Sequence, residues 1–247
     1  MAFYRITYHE QYRFATLHNW GCTFRCPYCS YKLRSGAQGR PGFAEPKPER
    51  FLGVDELKKV LLDLHPEKVY FMGGEPTVAV ELDEMIRFAK LELGAWTQLG
   101  HTNGSRLDIP LLDGANIGFK AWNSVLHEKI TGRPKDLIYN NFRNAFERGM
   151  KLSANLVFIP ELVGYDELEG LAGFLGGLDR RIPFHISGYI PIPGQPWRRP
   201  DDAEMEQAVA LAGKYLDNVR FSHLSSSEAL DLRARDDRFQ VRIVAGV

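Results

Sequence analysis

Apolar and polar side chains follow two different periods along this chain. Residues 3–20 mix aromatic, aliphatic and polar side chains in short alternation, which predicts strand, and residues 16–20 would lead directly into the stretch Gly21–Cys29. Residues 30–54 break the rhythm, because Gly36, Gly39, Pro41, Gly42, Pro46, Pro48 and Gly53 predict a long irregular loop. Loops of that length in compact domains are usually functional or mobile. A regular beat then sets in. Helical spacing with an acidic first turn covers 55–64, followed by a short apolar strand at 68–72. Helix 82–93 and strand 95–101 come next, then strand 116–122, helix 137–150 and strand 153–159. Helix 167–178, strand 182–190, helix 203–216 and a last strand at 219–223 complete the series.

Strands alternating with helices at this spacing predict βαβ units, an α/β class and a parallel sheet. An open doubly wound sheet and a partial barrel both satisfy the pattern. No linker or shift of composition divides the chain, so one domain is expected over 1–247, with a core over about 14–224 and short terminal extensions. A chain of 247 residues can bury a substantial core. Its 31 basic and 31 acidic residues cancel, which gives no electrostatic case for nucleic acid or an anionic membrane as obligatory partner. No apolar run reaches bilayer-spanning length, and the polar start Met1-Ala2-Phe3-Tyr4-Arg5 is no secretory signal. The cytoplasm is the expected location.

All three cysteines, Cys22, Cys26 and Cys29, fall within eight residues. An odd count in a chain of this size argues against a disulfide framework. A structural zinc site would need a fourth ligand, such as His18 or a distant histidine. An iron–sulfur or zinc module that only binds a partner is therefore one reading. Three thiolates can also hold three irons of a four-iron cluster and leave the fourth without a protein ligand. Clusters that only transfer electrons are usually capped by cysteine throughout. An open coordination position marks a site where something else must bind.

The spacing C-x3-C-x2-C with an aromatic, Tyr28, before the third cysteine resembles the signature of the radical S-adenosylmethionine (radical SAM) family. Gly73-Gly74-Glu75-Pro76, at the end of strand 68–72, resembles that family's GGEP motif. The resemblance implies a partial (β/α)6 barrel and a [4Fe–4S] cluster on Cys22, Cys26 and Cys29. The bare iron would chelate the amino and carboxylate groups of SAM. Gly73, Gly74 and Glu75 would meet the SAM amino group, since glycines let backbone approach a ligand closely. Thr102 and Asn103 match polar residues that line the SAM pocket, although a helix cap or Asx turn explains them equally. Lys120, in Ile117-Gly118-Phe119-Lys120-Ala121, resembles the D-x-K motif of glycyl-radical activating enzymes. Gly118 stands where the aspartate would be, so Lys120 either meets the SAM carboxylate or faces solvent. The segment Leu156-Val157-Phe158-Ile159-Pro160 resembles the strand that edges the adenine, and His185 matches a histidine that reaches SAM. A lone histidine on an apolar strand is more often a satisfied core residue. Lys32, Arg34, Arg40, Lys47 and Arg50 in the long loop are either a solvated surface or a face toward an anionic partner.

The chemistry implied by the resemblance is reductive cleavage of SAM to a 5′-deoxyadenosyl radical, which abstracts hydrogen from a substrate. The resemblance is closest to the activating enzymes of glycyl radical enzymes, whose substrate is a protein backbone glycine. It also implies a one-electron donor such as flavodoxin or ferredoxin. A compact radical SAM enzyme acting on a small molecule is the alternative.

Overall fold

The computed structural model describes residues 2–43, 46–231 and 237–246. The alternation at the start of the chain folds as a hairpin. β1 (Phe3–His9) and β2 (Phe14–Asn19) pair antiparallel, and the chain reverses through Arg13 at φ +47°. The long loop that follows holds one short helix, α1 (Lys32–Ser35). Five pairs of strand and preceding helix then follow the predicted beat within a few residues. They are α2 (Val54–Leu64) with β3 (Lys68–Gly73), and α3 (Leu82–Leu91) with β4 (Trp96–Thr102). β5 (Gly114–Phe119) comes next without a helix before it. α4 (Ser124–Thr131) and α5 (Lys135–Glu147) lead to β6 (Lys151–Phe158), and α6 (Tyr165–Leu178) to β7 (Phe184–Gly188). α7 (Asp202–Gly213) precedes β8 (Val219–Ser222).

Burial shows why these segments are helices. In α3 the buried positions are Leu82, Met85, Ile86 and Ala89, the spacing of one helical face. α4 was not expected from the pattern. It is short, and it is set by its ends: the Asn123 side chain accepts from Leu126 N–H, and Gly132 ends the helix in the left-handed conformation. α8 (Ser226–Leu230) and the final strand β9 (Arg242–Gly246) were also unexpected.

All nine strands lie in one sheet, in the order β8-β7-β6-β5-β4-β3-β2-β1-β9. β2 to β8 run parallel, β1 is antiparallel to β2, and β9 is antiparallel to β1. The sheet does not close, so the architecture is a partial barrel of seven parallel strands with an added edge. Register separates its two faces. Leu17, Phe71 and Leu99 stand side by side, as do Phe119, Leu156 and Ile186, and each is almost fully buried. The opposite face carries His18 beside Met72, and Gly118, Asn155, His185 and Arg220 in one row. A closed barrel fills its interior with apolar layers. Here the inner face is polar, so it forms a site and not a core. The charge of Arg238 bears on both Tyr70 of β3 and His185 of β7, and Asp237 O meets His9 Nε2 at 2.8 Å, which ties the residues just before β9 to the end of β1.

Candidate active site

The cysteine loop follows β2 directly and is held by buried polar anchors. Asn19, fully buried, donates from Nδ2 to the carbonyls of Gly21 at 3.1 Å and Glu75 at 2.8 Å. Glu75 N–H donates to Gly21 O at 2.8 Å and Gly21 N–H to Gly42 O at 3.0 Å. Gly73 and Gly74 are required where they stand. Gly73 sits at φ +133°, and a Cβ there would fall 2.2 Å from Asn19 O. A Cβ on Gly74 would fall 2.1 Å from Gly21 O and 2.3 Å from Gly42 O. Backbone therefore packs on backbone, which no other residue allows.

Cys22, Cys26 and Cys29 line one cavity of about 370 Å³, together with Tyr28, Gly73, Gly74, Thr102, Asn103 and Lys120. That size is typical of a small-molecule pocket. Burial pushes the Cys22 thiol up to about 11 and the Cys26 thiol up to about 12. The neighbouring thiols add to the rise, while the Lys120 charge opposes it. Cys22 Sγ accepts from Phe24 N–H at 3.3 Å. Tyr28 is buried behind the thiols, and its hydroxyl donates to Lys120 O at 3.3 Å. Burial and the adjacent thiols push the Tyr28 phenol far up, so it stays neutral. No hydrogen bond or ion pair engages the Lys120 ammonium among the described residues.

Two expected ligand-facing residues are placed elsewhere. Glu75 is fully buried and does not line the cavity. Its Oε1 accepts from Thr77 N–H at 3.2 Å, Thr77 Oγ1 at 2.7 Å and Thr102 Oγ1 at 2.8 Å, and its Oε2 accepts from Asn103 N–H at 2.5 Å. Burial raises its pKa, and these four donors pull the other way. His185 also stays off the cavity wall; its Nε2 meets Ser222 Oγ at 3.0 Å. Burial and the charges of Arg220 and Arg238 lower its pKa. Asn103 does reach the loop, since Nδ2 donates to Thr23 Oγ1 at 2.9 Å.

Asn155, Ser187 and Tyr31 line the cavity without having been singled out in the sequence. Asn155 Nδ2 donates to Ser187 Oγ at 2.9 Å and His185 O at 3.2 Å. Its signal was present in the sequence: an asparagine interrupts the apolar run of β6 and faces the polar side. In the long loop, Arg50 pairs with Glu56 at 2.7 Å, Lys47 lies over the Trp20 ring, and Arg40 stacks on Phe43 at 3.9 Å.

The donor set fits a cluster better than a single ion. Among the described residues no three His, Cys, Asp or Glu side chains converge as one metal ion requires. Each thiolate of a four-iron cluster caps its own iron, so the sulfurs need share only the cluster's outline. The profile of the Radical SAM superfamily matches residues 17–175, more than half of the chain.

The chain belongs to the radical SAM superfamily. A protein of Methanocaldococcus jannaschii, provisionally named a glycyl-radical enzyme activating enzyme, is 29% identical over 84% of this chain and 80% of that one. Among solved structures, Streptococcus suis SuiB bound to S-adenosylmethionine has a TM-score of 0.61 at 18% identity, over 81% of this chain and 47% of SuiB. This chain thus spans about half the length of SuiB. SuiB has also been solved with its precursor peptide SuiA, at TM-score 0.59 and 16% identity, over 89% of this chain and 51% of that one. A domain of pyruvate-formate lyase-activating enzyme from Bacteroides vulgatus has a TM-score of 0.52 at 21% identity, over 63% of this chain and 98% of that one. The chain is a radical SAM enzyme with the open partial-barrel fold, and the superfamily implies SAM and a [4Fe–4S] cluster as cofactors. Among the described residues, no helix is long and apolar enough to cross a membrane.

Proposed function

We propose that this enzyme takes a hydrogen atom from a protein or peptide, with activation of a glycyl radical enzyme as the specific reaction. The carrying observation is the cavity itself. Three thiols occupy one wall, close-packed glycine backbone another, and polar side chains including Asn103, Lys120 and Asn155 the rest, inside a barrel left open between β8 and β9. An open concave side suits a substrate loop that enters from outside. The activating-enzyme and peptide-bound relatives support the same reading.

Cys22, Cys26 and Cys29 would hold the cluster, which when bound supplies one electron to the SAM sulfonium and so yields the 5′-deoxyadenosyl radical. The elevated pKa values of Cys22 and Cys26 mean that both thiols shed protons only as iron binds. Lys120 brings positive charge to the thiolates and presents a free ammonium for a carboxylate. Asn155, held by Ser187 and the β7 backbone, offers a fixed amide on the facing wall. Glu75 acts through others: it holds Thr102 and Asn103 in place, and Asn103 in turn holds Thr23 of the cysteine loop. Tyr28 and Phe24 are buried against the thiols and exclude water there.

The test is anaerobic reconstitution with iron and sulfide, then incubation with SAM, reduced methyl viologen and a glycyl radical enzyme that carries α-deuterated glycine at its radical site. Deuterium in 5′-deoxyadenosine and a glycyl signal by electron paramagnetic resonance are expected. Zinc as the retained metal, with no 5′-deoxyadenosine, would overturn the reading.

A further inference from the structure

Cys22, Phe24 and Pro41 line the catalytic cavity and also a second, more open groove of about 570 Å³, whose walls include Arg25, Arg40 and Arg133. Cys22 therefore stands between the two. All three arginines are exposed, and no hydrogen bond or ion pair engages any of their guanidinium groups among the described residues. Seven arginines elsewhere in the molecule are neutralised by contrast: Arg13, Arg50, Arg106, Arg180, Arg181, Arg198 and Arg242 each have a carboxylate partner. Among the described residues no acidic side chain lines the groove, so a chain of zero net charge gathers three arginines beside a cluster ligand.

Two of the arginines are also packed in place. The Arg40 guanidinium lies 3.9 Å from the Phe43 ring centroid. Arg25 lies flat on Gly132, where an added Cβ would fall 2.3 Å from Arg25 Nε, and Arg25 N–H donates to Thr131 O at 3.3 Å. Arg133 follows directly after the Gly132 cap of α4. Guanidinium groups packed this way lose little freedom when an anionic surface arrives.

We propose that this groove is the docking surface for an acidic one-electron carrier protein. The inference rests on the radical SAM reading above and adds the route of the electron. A hydrogen-donating substrate must reach the catalytic cavity, so the occupant of a groove across the cysteine loop is a different molecule. Redox partners form small, transient interfaces in which complementary charge steers encounter. The electron balance is simple. The reduced carrier would give up one electron and depart oxidised, and a cluster held by Cys22, Cys26 and Cys29 would take that electron with no proton or group transferred.

The test compares the wild type with Arg40→Glu/Arg133→Glu, and with Arg40→Lys/Arg133→Lys, which keeps the charge. Binding of oxidised flavodoxin, an acidic carrier, is measured by surface plasmon resonance at low and high salt. SAM cleavage is measured with reduced flavodoxin and, separately, with reduced methyl viologen. The acidic variant is expected to bind flavodoxin about tenfold more weakly and to lose the salt dependence. Its flavodoxin-driven cleavage should fall in parallel while viologen-driven cleavage stays within about twofold, and the lysine variant should recover most of the loss. Unchanged flavodoxin binding in the acidic variant overturns the proposal, as does an equal loss with viologen. Tight binding of a short single-stranded RNA in place of flavodoxin also overturns it. If the wild type cleaves no SAM with viologen, the function proposed above fails, and the binding measurements still decide the docking surface.

Discussion

Glu75 and Asn103 meet across the ends of β3 and β4: the Asn103 N–H donates to Glu75 Oε2 at 2.5 Å over a separation of 28 residues. The same carboxylate accepts from Thr102 Oγ1 at 2.8 Å, so one buried acceptor group ties two adjacent strand tips together. In Glu75→Gln the amide nitrogen would face a donor, leaving a buried N–H or hydroxyl unpaired at a cost of about 1–3 kcal/mol. Glu75→Gln is expected to lower the urea midpoint by a corresponding amount and to weaken SAM binding, read by calorimetry on reconstituted protein. An unchanged midpoint would show that the tie bears no weight.

Cys26 is the most buried of the three thiols. Cys26→Ala is expected to remove most of the iron bound on reconstitution and all 5′-deoxyadenosine formation. The fold should survive, because a small apolar side chain replaces a small apolar side chain. Iron analysis, the visible spectrum and far-UV circular dichroism check this together. A variant with full iron content would show that the other two thiols suffice.

At Gly118 a Cβ would stand 3.0 Å from Lys120 Nζ, and the obstacle is the tip of a flexible side chain. Gly118→Asp is therefore expected to fold and to form an ion pair with Lys120. That pair would compete with a ligand carboxylate, so SAM affinity should fall about tenfold at unchanged iron content. Unaltered affinity would mean that Lys120 does not meet SAM.

Burial and the nearby Arg5 charge lower the His18 pKa to about 3, and its Nε2 meets Thr7 Oγ1 at 2.9 Å. The folded pKa lies below the unfolded value of 6.5, so between these values the unfolded chain binds more protons. Stability attributable to His18 is complete above pH 6.5 and declines as pH falls toward 3, by at most about 1.4 kcal/mol per pH unit. His18→Gln is expected to flatten the pH dependence of the denaturation midpoint between pH 6.5 and 4 relative to wild type. Parallel profiles would refute this.

The repeating strand–helix beat was legible because each strand's outer row is apolar and each helix has one buried face. α4 was missed because its caps, Asn123 and Gly132, define it more than its periodicity does. β9 was missed because its pairing with β1 is a long-range event that local pattern does not encode. At the site, the cysteine spacing and the paired glycines could be read directly, since both are constraints on adjacent residues. A carboxylate after two glycines resembles one that meets an amine, so the sequence predicts a ligand-facing Glu75. The structure turns it inward to satisfy backbone N–H and hydroxyl donors, a demand that exists only once β3 and β4 lie side by side. Asn155 and Ser187 depend on the register of β6 against β7 and needed the folded sheet to be recognised.

The pairing of β1 with β9 joins residues 3–9 to 242–246. During synthesis the outer edge of β1 has no neighbour until the second of these segments has left the ribosome. For that whole interval its backbone groups are an adhesive ribbon open to other nascent chains. Completion of this half-barrel is thus timed by translation, and slow elongation before residues 242–246 emerge would favour aggregation over assembly.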